Sequence, residues 1–223
     1  MDNENYKIEI IKDINTKNDI FAKIEIIGDL GVGKTSIIRK LIRNEFNEEY
    51  TPTTGYEFNP YLIKINDTIL KFQIWDMCGN ENYRPVLLNL YRNALVGILV
   101  YSVCSRESFN NLSNWILALK KYSLPNSFII LLGNKCDDNK KREVSYEEGK
   151  QICEKYNLKF FQEISAKNGF RSPNFIETIA INIYKDSLEN KEELSLSHDN
   201  AAGESILLYN DNDTKKNFGS TCC

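Results

Sequence analysis

From residue 20 onward the chain alternates two kinds of apolar pattern. Residues 21–27 read as a strand that stops at Gly28. A helical pattern follows over 34–43, with Ile37, Ile38, Leu41 and Ile42 on one face. Two strands, 57–65 and 69–75, flank the turn signal Asn66-Asp67. Residues 94–103 are almost continuously apolar, as a strand buried on both faces should be. Residues 128–132 repeat that character, and 159–163 are a weaker third case. Helical stretches at 108–122, 145–156 and 173–185 lie between and after them. This alternation predicts an α/β fold, a six-stranded and mostly parallel sheet with helices on both faces. Ligands in such folds bind at the carboxyl ends of the strands, so chemistry is expected there.

The ends of the chain differ from this middle. Residues 1–19 form a polar, Asn-rich leader. Within it, Lys7-Ile8-Glu9-Ile10-Ile11 recurs as Lys23-Ile24-Glu25-Ile26-Ile27. Two copies do not make a repeat protein, and the first is either an extra edge strand or a leader without fixed structure. Residues 20–185 are the expected folded domain. Residues 186–223 are rich in Asn, Asp, Glu and Ser and show no persistent period, which predicts a flexible tail.

Composition narrows the function classes. The hydrophobic share of 42% in 223 residues suits one compact core. No run approaches the roughly 18 to 20 apolar residues of a membrane span. The first twelve residues lack the pattern of a secretory signal or transit peptide, so a cytosolic protein is expected. A net charge of −3 argues against nucleic acid as a partner, because phosphate backbones select for a basic face. Cys78, Cys104, Cys136 and Cys153 are scattered, with no C-x-x-C pair for zinc, and fit small buried hydrophobes. His198 stands alone in polar sequence and is no catalytic candidate.

The first chemical motif is Gly28-Asp29-Leu30-Gly31-Val32-Gly33-Lys34-Thr35, set between a predicted strand and a helix. It fits G-x-x-x-x-G-K-[ST]. The glycines let successive N–H groups curl inward, and the helix N-terminus behind them favours anions. Lys34 adds a full charge near the outer phosphates, and the Thr35 hydroxyl can ligate Mg2+. The second motif, Asn134-Lys135-Cys136-Asp137, follows the apolar strand at 128–132. A carboxylate there can accept two parallel hydrogen bonds from guanine's N1–H and amino group, a donor pair adenine lacks. A chain this rich in Asn and Lys produces N-K-x-D readily by composition. Its place at a strand end is therefore the stronger signal. Ser165-Ala166-Lys167 ends the next strand.

In this order, GDLGVGKT, PTTGYEF, WDMCGNE, GNKCD and SAK resemble the Ras superfamily of small GTPases, and within it the Rabs. Supporting stretches are Leu90-Tyr91-Arg92-Asn93-Ala94, Leu99-Val100-Tyr101-Ser102 and the terminal Cys222-Cys223. The resemblance covers about residues 21–185 and the last two residues. It implies a P-loop small-GTPase fold binding GTP or GDP with Mg2+. Residues 31–36 (Gly31, Val32, Gly33, Lys34, Thr35 and Ser36) would hold the phosphates. Phe46 would pack on the guanine, surrounded by Asn134, Lys135, Asp137, Ser165, Ala166 and Lys167. Thr35 and Thr53 would ligate Mg2+, and Asp76 would hold a metal-bound water. Gly79 would touch the γ-phosphate, and Asn80, with Lys34, Thr53 and Gly79, would form the catalytic set. Phe46 also fits a core position, and Thr53 a turn. The γ-phosphate and Mg2+ would tether the two loops at 47–57 and 77–93, with Phe58, Trp75 and Tyr91 flanking an effector surface. Those aromatics equally fit a core.

Three departures cluster around the same phosphate. Asn80 stands where the family has Gln, which orients the attacking water. Asn is one methylene shorter, and a misplacement of about 1 Å can cost on the order of 100-fold in rate. Leu30 puts a branched side chain where Gly or Ser is usual, and Met77-Cys78 replaces Thr-Ala. The expectation is a Rab-like switch on the cytoplasmic face of endomembranes, with a cytosolic pool, that regulates vesicle traffic and hydrolyses GTP slowly. The alternative is a hydrolysis-deficient, GTP-gated binding module. A nucleotide kinase would need a lid and an acceptor site and would not need 134–137. The resemblance implies an exchange factor, a GTPase-activating protein, effectors, a GDP dissociation inhibitor and a prenylation escort. Cys222 and Cys223 would carry the prenyl groups, since two lipids are needed for stable anchoring. The acidic tail adds no attraction to anionic lipid. The apolar group at 206–209 fits either an escort contact or a simple loop contact.

Overall fold

The computed structural model describes residues 6–49, 52, 53, 55–78, 93–124, 126–170 and 174–197. Its strands are β1 (Ile8–Ile11), β2 (Ile20–Ile27), β3 (Tyr56–Ile65), β4 (Thr68–Met77), β5 (Val96–Ser102), β6 (Phe128–Asn134) and β7 (Phe160–Glu163). They form one seven-stranded sheet in the order β1-β3-β4-β2-β5-β6-β7. The β1–β3 and β3–β4 pairs are antiparallel, and all others are parallel. The helices are α1 (Lys34–Arg43), α2 (Arg106–Asn110), α3 (Leu112–Tyr122), α4 (Tyr146–Lys155) and α5 (Phe175–Ser197).

Strand alternation assigns the two faces. Ala22, Ile24 and Ile26 of β2 join the cluster that takes Ile37 and Ile38 of α1 and Phe175, Ile176, Ile179 and Ile183 of α5. Ile27 turns to the other face, with Phe109 of α2, Leu112, Trp115, Ile116 and Leu119 of α3 and Cys153 of α4. Burial on both sides is what the near-continuous apolar run of β5 demands, and all seven of its residues are buried.

The sheet has seven strands where six were expected. The seventh is β1, the first copy of the repeated pentapeptide. Its residues Ile8 and Ile11 pair with Ile65 and Leu62 of β3. The strand is held from the hairpin turn as well: Lys7 N–H donates to Asn66 Oδ1, and Asn66 N–H donates to the Lys7 carbonyl. The second difference is at 108–122, read as one helix. It is two, broken at Asn111, which ends α2 and begins α3. The third is α5, which runs to Ser197, well past Lys185 and into the segment read as flexible tail. Leu188 and Glu189 lie exposed there, so no apolar stripe announced the extension. Good helix formers continue a turn already nucleated upstream, and the Ser187 hydroxyl bonds back to the Tyr184 carbonyl.

Candidate functional site

The parallel strands β2, β5, β6 and β7 end at the same edge of the sheet, and the motif residues follow those ends. Gly28 continues directly from β2. A Cβ on Gly28 would lie 2.1 Å from the Val100 carbonyl oxygen, so only glycine lets the chain turn away from β5 here. Gly33 has φ of +99°, and a Cβ there would meet Asn134 Nδ2 at 2.4 Å. The loop 28–35 is thus shaped by contacts that exclude side chains. It leads into α1, whose first residue is Lys34.

Four of the loop's carbonyls accept from lysine and asparagine side chains. Lys34 Nζ donates to the carbonyls of Gly28 and Asp29, at 2.9 Å each. Lys135 Nζ donates to Gly31 O at 2.7 Å, and Asn134 Nδ2 to Val32 O at 2.9 Å. With these acceptors occupied, the loop and the α1 N-terminus offer N–H donors to an anion. Lys34 is buried, and loss of hydration pushes its ammonium down to about 8, against the attraction of Asp76 and Asp29. A phosphate beside it would replace that lost hydration.

Asn134 joins the two motifs. It is buried at the end of β6, gives its Nδ2 to the phosphate loop and accepts from the Ala166 N–H at 3.1 Å. The Ser165 hydroxyl donates to Asp137 Oδ1 at 2.6 Å and accepts from the Asn168 N–H. Asp137 is therefore held by its neighbour and keeps Oδ2 to present to a base. Lys135 takes the left-handed conformation, φ +66°, which turns the chain after β6 so that Asp137 comes round.

A third group lies on the far side of the loop. The Thr35 hydroxyl is 2.7 Å from the Thr53 hydroxyl and donates to Asp76 Oδ2 at 2.5 Å. Asp76 is buried, and burial pushes its carboxyl up despite the Thr35 bond and Lys34. Its Oδ1 is buried without a hydrogen-bond partner. Two hydroxyls and one carboxylate whose Oδ1 is buried and unsatisfied fit a hard cation that takes oxygen ligands and keeps several waters. Thr35, Thr53 and Asp76 are thus the residues that would hold Mg2+, which supplies positive charge to phosphate oxygens when bound.

One cavity of about 320 Å³ unites these groups. Gly31, Gly33, Lys34, Thr35, Ser36, Phe46, Thr53, Asn134, Lys135, Asp137, Ala166 and Lys167 all line it. Three of the described expected residues do not, Asp76 meeting it only through the Thr35 hydroxyl. Val32 is buried in the core and contributes only its carbonyl, and Ser165 acts through Asp137. Phe46 stands at the cavity, 38% exposed, and so is not a core residue. Gly79, Asn80, Tyr91, Cys222 and Cys223 lie outside the described residues.

Sequence reasoning missed several lining residues, among them Arg39, Glu48 and Asp138. Glu48 pairs with Lys167 at 2.7 Å across the mouth. It also missed the grip on Asp29, whose carboxylate accepts from Asn111 Nδ2 and Trp115 Nε1. No local periodicity signals such contacts, because they join segments far apart in the chain.

Comparison with known proteins agrees with this geometry. The sequence model of the Ras family matches residues 23–185. The chain is 37% identical over 196 residues to Ras-related protein RABA4d of Arabidopsis thaliana, covering 88% of this chain and 87% of that protein. It is 36% identical to Ras-related protein Rab11A of Lotus japonicus, over 88% of this chain and 85% of that one. Ras-related protein Rab11B of Nicotiana tabacum matches at 38% over 75% and 76%. The chain belongs to the Ras family, as a Rab-type small GTPase, an enzyme that hydrolyses GTP.

Proposed function

We propose that this Rab-type GTPase is a switch in vesicle traffic that holds its GTP state for a long time because hydrolysis is slow. The cavity supports GTP or GDP with Mg2+ as its ligand. In this reading the phosphates lie in the loop 31–36, with the guanine between Phe46 and the 134–137 and 165–167 segments. With Mg2+ supplying positive charge to the phosphates, Thr53 would tie the first loop to the γ-phosphate. The Gly79 N–H would do the same for the second. Tyr56, Phe58 and Trp75 supply an aromatic surface beside these loops, with ring centroids of Tyr56 and Phe58 each 5.5 Å from Trp75. An effector reads that surface when both loops are tethered.

The slow hydrolysis rests on Leu30. Its side chain is 52% exposed on the phosphate loop and lines the cavity. A branched apolar group there occupies space needed by a water-positioning amide or an arginine supplied by a partner. Met77 also lines the cavity. Asn80, a residue too short to place its amide like Gln, adds to the same effect.

The test is single-turnover hydrolysis of preloaded GTP with Mg2+, comparing the natural chain with Asn80→Gln, Leu30→Ser and the pair. A slow natural chain sped by on the order of tenfold or more supports this reading. Ordinary hydrolysis, unchanged by the variants, overturns it and leaves a conventionally timed switch. A natural chain with no measurable turnover favours the GTP-gated binding module.

The output needs a membrane. Among the described residues no helix is long and apolar enough to cross one. Two prenyl groups on Cys222 and Cys223 would anchor the cytoplasmic-face form. An escort and a GDP dissociation inhibitor would handle the cytosolic pool, while an exchange factor and an activating protein set the cycle. Persistent membrane binding of a Cys222→Ser, Cys223→Ser double variant would refute the anchor.

A further inference from the structure

Asp29 is the second residue of the phosphate loop, and its carboxylate turns away from the cavity to helix α3. Asn111 Nδ2 donates to Asp29 Oδ2, and Trp115 Nε1 donates to Asp29 Oδ1, both at 2.7 Å. Each carboxylate oxygen therefore has its own short, charge-assisted bond, which is a directional grip. Trp115 is 2% exposed, packed in the core cluster on that face of the sheet, so its indole cannot shift to follow a moving partner.

Asn111 supplies a second and independent sign that this contact is built. It is the N-cap of α3, a position where an Asn side chain normally accepts from the helix's own N–H groups. Here its side chain makes no capping bond. It reaches across to Asp29 instead. The Asp29 carboxylate in turn brings negative charge to the N-terminal end of α3, where the helix dipole favours it. The break between α2 and α3 sits at this residue. The main chain of Asp29 closes the link to the ligand, since its carbonyl accepts from Lys34 Nζ at 2.9 Å. Fixing Asp29 fixes one of the two carbonyls that orient the loop's lysine.

We propose that Asp29 is a positioning residue for nucleotide binding, tying the phosphate loop to α3 through Asn111 and Trp115 and so slowing nucleotide release. The tether makes the Trp115 indole a reporter of the loop. This inference rests on the loop's binding nucleotide phosphates. That reading is tested separately by whether the unmodified chain binds a fluorescent GDP with Mg2+ at all.

The experiment measures dissociation of N-methylanthraniloyl-GDP from the full chain with Mg2+. Asn111→Asp sets one carboxylate against another at Asp29, so release should quicken on the order of tenfold. Trp115→Phe keeps most of the packing, loses one bond and should act in the same direction. The combined Asp29→Asn, Asn111→Asp variant restores both bonds, with donor and acceptor exchanged between positions 29 and 111 and Trp115 still donating. It should return release to within about threefold of the unmodified chain, a rescue that general destabilisation does not produce. A second readout uses a Trp75→Phe background, which leaves Trp115 as the one indole of two. Stripping nucleotide with a chelator should shift Trp115 emission when Asp29 is present and leave it unmoved in Asp29→Ala. Unchanged release in Asn111→Asp overturns the proposal. So does failure of the exchanged pair to recover while it remains folded, because the charge and not the two bonds would then be what matters.

Discussion

Lys23 and Glu25 form an ion pair at 2.9 Å inside the sheet, and Lys7 and Glu9, the same two residues of the repeated pentapeptide, form one at 2.8 Å on its edge. The two pairs differ in their surroundings. Glu25 is fully buried on the central strand, whereas Glu9 is half exposed. Neither oxygen of Glu25 has an aligned hydrogen bond, and Trp75, its register neighbour on β4, has a buried indole N–H without a partner.

Burial pushes the Glu25 carboxyl up to about 7, and the nearby Lys23 ammonium offsets only part of the rise. The unfolded chain titrates near 4.5. Between those values the folded state holds a proton that the unfolded state has lost. The contribution of this group therefore favours the fold at low pH, declines as pH rises from about 4.5 to about 7, and is flat above. The Glu25→Gln variant should lack this slope. At pH 8 it should be more stable than the natural chain by up to about 3 kcal/mol, less the lost attraction to Lys23. Urea unfolding of the GDP-loaded protein at pH 6 and pH 8 checks this, and parallel changes in both proteins would count against it.

The edge copy makes a different prediction. Tyr6 meets Tyr184 of α5 edge to face, with centroids 5.8 Å apart, and Lys185 Nζ lies 5.5 Å above the Tyr6 ring. Strand β1 is thereby latched to the last helix as well as paired with β3. Tyr6→Ala should lower stability by about 1 kcal/mol. Hydrogen exchange at Ile8–Ile11 should quicken, while GDP release stays unchanged, because the latch lies on the sheet edge and shares no residue with the cavity. Faster GDP release would mean that the leader reaches the site.

The middle of the chain was legible because each element carries its own period. The alternation over 21–27, the apolar run of β5 and the 3.6-residue face of α1 are local facts. The motifs were legible because backbone demands fix residue types, as at Gly28 and Gly33. What stayed hidden depends on distant partners. β1 is four residues long and becomes a strand only by pairing with residues more than fifty positions on. The residues of α5 after Lys185 keep helical propensity without a face. The break falls at Asn111, whose amide reaches Asp29, 82 positions away in the chain. The remaining gap is chemical. Thr35, Thr53 and Asp76 were grouped around one cation only by the family resemblance, and the fold shows that their side chains meet.

Their meeting can be tested through the cation. Thr35 Oγ1 contacts both Thr53 Oγ1 and Asp76 Oδ2. Replacing Thr35 with Ala removes the hydroxyl common to both contacts and leaves both Asp76 oxygens without a side-chain donor. GDP release from the natural chain should speed strongly when Mg2+ is chelated. In Thr35→Ala, release should be fast with or without Mg2+, the two rates agreeing within about threefold. Thr35→Ser keeps the hydroxyl and should keep the Mg2+ dependence. A Thr35→Ala protein with full Mg2+ dependence would place the cation elsewhere.

Asn134 is the residue whose loss should cost the site most, because it serves both halves at once. Its Nδ2 satisfies the Val32 carbonyl of the phosphate loop, and its Oδ1 satisfies the Ala166 N–H of the base segment. The side chain is 2% exposed, so water does not readily replace either bond. Asn134→Ala leaves two buried backbone groups unpaired, at about 1–3 kcal/mol each. GDP affinity should fall on the order of 100-fold or more, since the nucleotide needs both segments in register. Asn134→Asp separates the two roles. It keeps the acceptor for Ala166 but sets a carboxylate against the Val32 carbonyl, so the phosphate side should fail while the base side holds. Guanosine monophosphate, which leans less on the loop, should then lose less affinity than GDP. Equilibrium titration of the two nucleotides against both variants measures this, and equal losses for both would show that Asn134 supports the fold without linking the halves.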